Sequence, residues 1–124
     1  MRHVAIALAV SVLTAATPAF ATQGLECRSP GRRGFELYLS VGSGDGVDLV
    51  HIAEGRRVLT ATGLPDSSPR IAFGTLDHRS GRLTVRIVSR DGRPVASLDG
   101  TSGSGTLRYR GRIWRLSCQW EAQD

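Results

Sequence analysis

Serine and glycine alternate in the segment DGTSGSG at 99–105, whose composition comes close to that of a turn carrying a nucleophilic serine. A hydrolase nucleophile usually occupies a G-x-S-x-G turn between a strand and a helix. The spacing around Ser102 and Ser104 departs from that pattern, and the residues that follow alternate like a strand. No two carboxylates are singled out for acid–base catalysis. We therefore predict that the protein is not an enzyme.

Aspartate and glycine in SGDGVDLVH at 43–51 match most of one calcium-binding nonapeptide repeat. Such sites require several stacked repeats, and the chain has one copy, so we interpret the segment as a glycine-rich hairpin turn. The histidines His51 and His78 have no second histidine or cysteine at metal-ligand spacing. The glycines of the segment precede no helix and form no dinucleotide-binding fingerprint. The sequence predicts neither a metal nor a cofactor.

Arginine and aromatic residues fill the segment TLRYRGRIWRLSCQW at 106–120. Apolar and polar residues alternate along the predicted strands at 105–110 and 112–120, which puts Arg108, Arg110 and Arg115 on the side away from the apolar residues. These three share one solvent face if the two strands pair through a turn at Gly111. A patch of this kind would bind phosphate, sulfate or carboxylate groups of a polymer or an envelope lipid. The alternative is a solvated outer face whose arginine side chains lie along the sheet.

The first 21 residues have the layout of a secretory signal peptide. Arg2 supplies the positive start, a run of mostly apolar residues follows, and Ala19-Phe20-Ala21 provides small residues for cleavage. We predict a leader over 1–21 and a single domain over 22–124, in a periplasmic or secreted protein. A lipid anchor needs a cysteine directly after the cleavage site, and Cys27 lies beyond it, so we expect a soluble protein without a membrane anchor.

The charge of the mature domain is positive. All sixteen basic side chains are arginine, and the formal net charge is +5, of which Arg2 contributes one and the mature domain +4. This charge favours solubility and permits affinity for anionic surfaces. Export separates the protein from most nucleic acid, so we expect no nucleic-acid partner. The expected partner is a protein or an anionic component of the envelope.

Two cysteines, Cys27 and Cys118, lie near the two ends of the mature chain. In an oxidising compartment an even pair of this kind indicates a disulfide. The bond would close a loop of 91 residue steps, counted from the two positions. It would require the first and last strands to lie side by side or to face each other across the core.

Apolar residues recur at every second position, as in strands with one buried face. The last run puts Trp114, Leu116, Cys118 and Trp120 on the face that we assign to the core. Glycine and aspartate turns separate the runs at intervals of roughly ten residues, which is typical of sandwiches and barrels. The predicted runs lie near 25–28, 34–41, 47–53, 56–62, 70–76, 82–89, 94–98, 105–110 and 112–120.

The fold class is therefore all-β: a small antiparallel meander of about eight strands, either a barrel or a sandwich, with first and last strands joined by the disulfide. A barrel is preferred, because closure removes exposed strand edges. Two connections break the regular spacing. GLPDSSPR at 63–70 reads as a longer loop with two prolines, and the segment 99–105 reads as flexible and polar.

An exported β domain with these cysteines and an SGSG segment followed by a tyrosine resembles the periplasmic C-type lysozyme inhibitors of the MliC kind. The matching residues are Ser102-Gly103-Ser104-Gly105, Tyr109, Trp114, Cys27 and Cys118. The resemblance implies an eight-stranded barrel that inserts a loop into the lysozyme cleft. It would place Ser102 and Ser104 on that loop, with Tyr109 in the partner-binding segment.

The sequence predicts one of two functions. The first is a non-catalytic exported domain that binds an envelope component or a protein partner. The alternative is inhibition of lysozyme through the 99–105 segment.

Overall fold

The computed structural model describes residues 23–31 and 34–122, so the predicted leader at 1–21 lies outside the described residues. Within this part of the chain no helix is long and apolar enough to cross a membrane. The described residues form nine strands, one more than the expected eight or so. They are β1 (Gln23–Arg28), β2 (Phe35–Val41), β3 (Val47–Glu54), β4 (Arg57–Thr62), β5 (Arg70–Leu76), β6 (Arg82–Val88), β7 (Pro94–Thr101), β8 (Ser104–Tyr109) and β9 (Arg112–Trp120).

The strands form a closed barrel in chain order, with β9 returning to pair with β1. This confirms the all-β class and, of the two predicted architectures, selects the barrel. Short turns between consecutive strands produce antiparallel neighbours, since two residues suffice to reverse the chain. The turn at 55–56 is one example, with Gly55 in the left-handed region at φ 63°.

One neighbouring pair breaks the predicted antiparallel meander. β4 and β5 run parallel and pair only through Thr62 and Arg70. The physical reason is the proline-containing connection at 63–69, which is long enough for the chain to continue in the same direction instead of reversing. The β2–β3 turn helps to close this seam: Gly46 bridges to Thr75, and the Leu76 amide donates to the Asp45 carbonyl over 2.8 Å.

The barrel interior contains the apolar side chains that alternation assigned to it. Trp114 is 5% exposed, and its ring stacks on Phe35 with 4.1 Å between ring centroids. Leu107 and Tyr109 are also buried. The remaining interior consists mainly of Leu25, Leu37, Leu39, Val41, Val50, Ile52, Leu76, Leu83, Val85, Ile87, Leu98 and Leu116.

The core assignment of Trp120 is wrong, because its side chain is 38% exposed. Trp120 has the same parity as Cys118, but it is the last residue of β9 and lies at the open end of the barrel. Strand parity fixes the direction of a side chain and not how far the core extends along the strand. Its indole instead stacks beside the His78 ring, with centroids 6.3 Å apart.

The segment 99–105 is an ordered hairpin and not the flexible loop that its composition suggested. β7 extends to Thr101 and β8 begins at Ser104, which leaves a turn of two residues. The Thr101 Oγ1 accepts hydrogen bonds from the amides of Gly103 at 3.1 Å and Ser104 at 3.3 Å. Gly100 faces Gly105 across the two strands, and the absence of side chains allows their backbones to approach closely.

The predicted disulfide between Cys27 and Cys118 is present in the structure. The two residues are direct partners in the register of β1 and β9, so the bond joins the first strand to the last. Cys27 is 1% exposed and belongs to the core. A disulfide is consistent with the oxidising environment that the predicted export implies.

Candidate anion-binding end of the barrel

Successive turns lie at alternate ends of the barrel, because consecutive strands mostly reverse direction. One end gathers the connection between β1 and β2 and the turns at 55–56, 89–93 and 110–111. The described residues in or beside these turns include seven arginines and three carboxylates, and we call this the basic end. The arginines are Arg28, Arg56, Arg57, Arg90, Arg93, Arg110 and Arg112, and the carboxylates are Glu36, Glu54 and Asp91.

The opposite end has the reverse charge. It gathers the turns at 42–46, 77–81 and 102–103 together with the end of β9. The connection at 63–69 is not counted with either end, because it joins the parallel strands β4 and β5. In or next to the segments of this end the described part of the chain carries four carboxylates and two arginines, and we call this the acidic end. The carboxylates are Asp45, Asp48, Asp77 and Glu121, and the arginines are Arg79 and Arg82. The net positive charge is therefore not spread evenly over the barrel.

A groove at the basic end is lined by Arg57, Arg110 and Arg112, with Glu54 as the acidic neighbour, and has a volume of about 420 Å³. Arg57 begins β4 and Arg112 begins β9, so the closure of the barrel brings together residues far apart in sequence. Among the described arginines of this end, only Arg93 forms a salt bridge, to Asp91 in its own turn at 3.3 Å. The guanidinium groups of the groove are therefore available to an external anion.

The β8–β9 turn fixes the position of Arg110. Arg110 and Gly111 both adopt the left-handed region, at φ 55° and 73°. Two consecutive residues of this kind form the tight hairpin turn that matches the twist of antiparallel strands. Beneath the turn lies the buried ring of Tyr109, and burial raises the pKa of its hydroxyl, with the nearby Glu54 carboxylate adding to the effect. The groove thus rests on a packed core residue.

A second groove of about 390 Å³ adjoins the first on the outer wall. Arg108, Arg110 and Arg112 line it together with apolar residues from the β7 and β9 strand starts. Ile113, one of these, is 59% exposed and lies directly opposite Arg108 in the register of β8 and β9. The groove therefore combines guanidinium groups with exposed apolar surface.

The structure divides the predicted arginine patch. Arg108 and Arg115 lie exposed on the outer wall, at diagonal positions of β8 and β9, as alternation predicted. Arg110 lies in the turn and belongs to the basic end. Sequence reasoning missed Arg57 and Arg112 as groove residues, because their proximity depends on barrel closure. One feature of the sequence could have indicated these groove residues: arginines lie in or beside several predicted turns, at 56–57, 90–93 and 110–112.

The residues predicted for partner binding by resemblance do not form one site. Ser104 begins β8 and Tyr109 ends it, so their backbones are about 17 Å apart at the rise of a strand. Tyr109 is buried in the core at the basic end, whereas the Ser102 turn lies at the acidic end. That turn is packed against its neighbours: the Ser102 amide donates to Gly81, and Gly103 accepts from the Cys118 amide.

A larger groove of about 880 Å³ runs beside this hairpin. Asp77 and Asp99 supply its negative charge, and Arg82 its positive charge. Nearby, the His78 ring contacts the Asp45 carboxylate through Nδ1, whereas His51 on β3 pairs with the Thr60 hydroxyl at 2.9 Å. The described residues contain no group of three or more His, Cys, Asp and Glu side chains placed to hold a metal ion.

No protein-family model, curated protein or solved structure matches this chain. Inference about its function therefore depends on the charge and geometry of its own residues.

Proposed function

We propose that this protein is an exported, non-catalytic binding domain that holds an anionic component of the cell envelope at its basic end. The observation that carries the proposal is the groove in which Arg57, Arg110 and Arg112 meet with a single carboxylate, that of Glu54. The net charge of +4 on the predicted mature domain, which is the +5 of the whole chain less Arg2, could be dispersed over a surface without forming any site. Here it is concentrated at one end of a rigid barrel.

Arginine suits this role for a chemical reason. Its planar guanidinium presents five donors and matches phosphate, sulfate and carboxylate groups in a bidentate manner. The groove residues lie at strand starts or in a tight turn, so the backbone is ordered before the ligand arrives. Preorganised donors lose less conformational entropy on binding than donors on a flexible loop. Binding through charged groups exposed to water should weaken as salt rises.

The direct test measures retention on immobilised heparin, a sulfated polymer, over a salt gradient. We expect the double variant Arg57→Gln/Arg112→Gln to elute at clearly lower salt than the unchanged protein. Neither residue has a left-handed backbone, so glutamine fits both positions without strain. The matched control is Arg79→Gln/Arg82→Gln, which removes the same charge from the acidic end. Equal losses for the two variants would mean that only net charge matters, which contradicts the proposal.

A third variant separates the basic end from the outer wall. Arg108→Gln/Arg115→Gln removes the two wall arginines of the predicted patch and changes the net charge by the same amount. We expect a smaller loss of heparin retention than for Arg57→Gln/Arg112→Gln, because the wall arginines lie outside the end groove. If the wall variant loses more, the binding surface is the wall of β8 and β9.

Inhibition of lysozyme through the 99–105 hairpin is the second candidate. It is favoured by the position of the hairpin at the acidic end, beside the groove that contains Asp77 and Asp99. C-type lysozymes are cationic, so this end has the complementary charge, although the whole chain is positive. The test is a turbidity assay of bacterial cell lysis with lysozyme and increasing amounts of the protein. Stoichiometric inhibition that Ser102→Trp abolishes would support this function, and full lysis at excess protein would exclude it.

A further inference from the structure

We propose that the anion bound at the basic end is the headgroup layer of an anionic lipid bilayer, and that Ile113 enters the bilayer interface while the surrounding arginines contact headgroups. This inference rests on the proposed function, since it names the source of the anionic groups. It makes the protein a peripheral membrane-binding domain.

Ile113 is an aliphatic side chain that is 59% exposed on the barrel wall next to the basic end. Two arginines share its outward face: Arg108 is its partner across β8 and β9, and Arg115 follows two positions later in β9. Arg112, which precedes it, lines the same groove. An exposed isoleucine beside several guanidinium groups combines the two forces that hold proteins at membrane interfaces.

The apolar surface extends beyond Ile113. Pro94 and Val95, at the start of β7, line the same groove with Arg108 and Arg110. Arg90, in the turn that precedes Pro94, adds a further positive charge nearby in the sequence. Because long arginine side chains can bend toward headgroups while apolar neighbours enter the interface, the groove fits a surface that is anionic outside and apolar beneath.

A soluble polyanion would interact with the arginines of this surface only, because such a polymer gains nothing from contact with Ile113 or Pro94. An exposed aromatic residue elsewhere on the barrel provides a contrast. Phe73 is 52% exposed and lies opposite Arg86 on the wall. The Arg86 guanidinium is already paired with Asp99 at 3.0 Å, so Phe73 lacks an arginine free for headgroups. The combination of exposed apolar surface and unpaired guanidinium groups therefore favours the region around Ile113.

The experiment measures cosedimentation of the full mature chain with vesicles of phosphatidylcholine, with and without phosphatidylglycerol. We expect binding only when phosphatidylglycerol is present. Ile113→Ser should weaken this binding roughly tenfold, the order expected for losing one buried aliphatic side chain, and leave heparin retention unchanged. The matched control is Leu64→Ser, because Leu64 is 63% exposed and lies near the acidic end. Both sites are exposed, and equal urea midpoints would verify that both variants fold.

Each outcome has a separate meaning. Heparin retention without binding to phosphatidylglycerol vesicles overturns the membrane inference and leaves the proposed function standing. If the unchanged protein binds neither heparin nor phosphatidylglycerol vesicles, the proposed function itself is overturned. Vesicle binding that falls equally in Ile113→Ser and Leu64→Ser overturns the insertion of Ile113, since charge alone would then explain the attachment.

Discussion

Cys27 and Cys118 lie directly opposite each other in the register of β1 and β9, with 4.0 Å between their Cα atoms and 91 residues of separation in sequence. The disulfide therefore joins the two strands whose pairing closes the barrel. The bond also lies between residues that are already neighbours in the sheet. Its main effect is expected in the unfolded chain, whose two ends it keeps together.

The double variant Cys27→Ala/Cys118→Ala should unfold more easily than the unchanged protein. The chain-entropy model gives a loss of about 4–5 kcal/mol in the free energy of unfolding for a loop of this length. Urea denaturation of the two proteins measures the difference. A loss near zero, or the detection of two free thiols in the native protein, would contradict a structural role for the bond.

Trp114 and Trp120 should differ sharply in their contributions to stability. Trp114 is 5% exposed and stacks on Phe35, whereas Trp120 is 38% exposed at the end of β9. Trp114→Ala should lower the free energy of unfolding by about 3–5 kcal/mol, because it leaves a cavity in the core. Trp120→Ala should cost clearly less. Chemical denaturation compares the two, and equal losses would contradict the deeper burial of Trp114.

Two glycines of the β7–β8 hairpin form another matched pair. A Cβ at Gly100 would collide with the backbone of Ser104 and Gly105, whereas a Cβ at Gly103 meets only the Thr101 Oγ1, at 3.9 Å. Gly100→Ala should destabilise the protein by about 1–3 kcal/mol, the usual range for added bulk in a packed site. Gly103→Ala should have little effect on the urea midpoint. The opposite order would mean that the hairpin has a different register.

Asp77 should make the stability of the protein depend on pH in the acidic range. Its pKa is lowered mainly by the Arg79 amide, which donates to Oδ1 over 2.8 Å, with further contributions from Ser80 and His78. A carboxyl whose folded pKa is depressed stabilises the fold above its unfolded pKa and loses this effect as the pH falls through the folded value. Asp77→Asn should therefore lower the urea midpoint near neutral pH.

The same comparison at acidic pH provides the check. Once the pH has fallen below the lowered pKa of Asp77 in the folded protein, the carboxyl is protonated in both the folded and the unfolded states, so the two urea midpoints should converge. A difference that stays constant from neutral to acidic pH would mean that the substitution acts through geometry and not through the charge.

Alternation and turn residues were sufficient to locate the strands. The run from 112 to 120 coincides with β9, and the inward positions of Trp114 and Leu116 follow directly from a period of two. The disulfide followed from two cysteines near the ends of a chain that is predicted to be exported. These features are local, or involve a single pairing choice, and so the sequence alone determines them.

Features that depend on closure were not predictable in this way. The parallel contact of Thr62 with Arg70 and the meeting of Arg57 with Arg112 arise only when distant strands come together. The composition of the 99–105 segment suggested flexibility, because glycine and serine are common in mobile loops. In the structure Gly100 and Gly105 instead allow two strands to approach closely.

Binding of an anion at the basic end is tested most directly by mapping the residues that respond to the anion. Amide chemical shifts of the ¹⁵N-labelled protein are recorded while a short heparin oligosaccharide is added. We expect the largest changes to cluster in the basic end, at residues 54–57, 89–94 and 109–113. Changes that cluster at the acidic end, around residues 77–82 and 99–104, would contradict it.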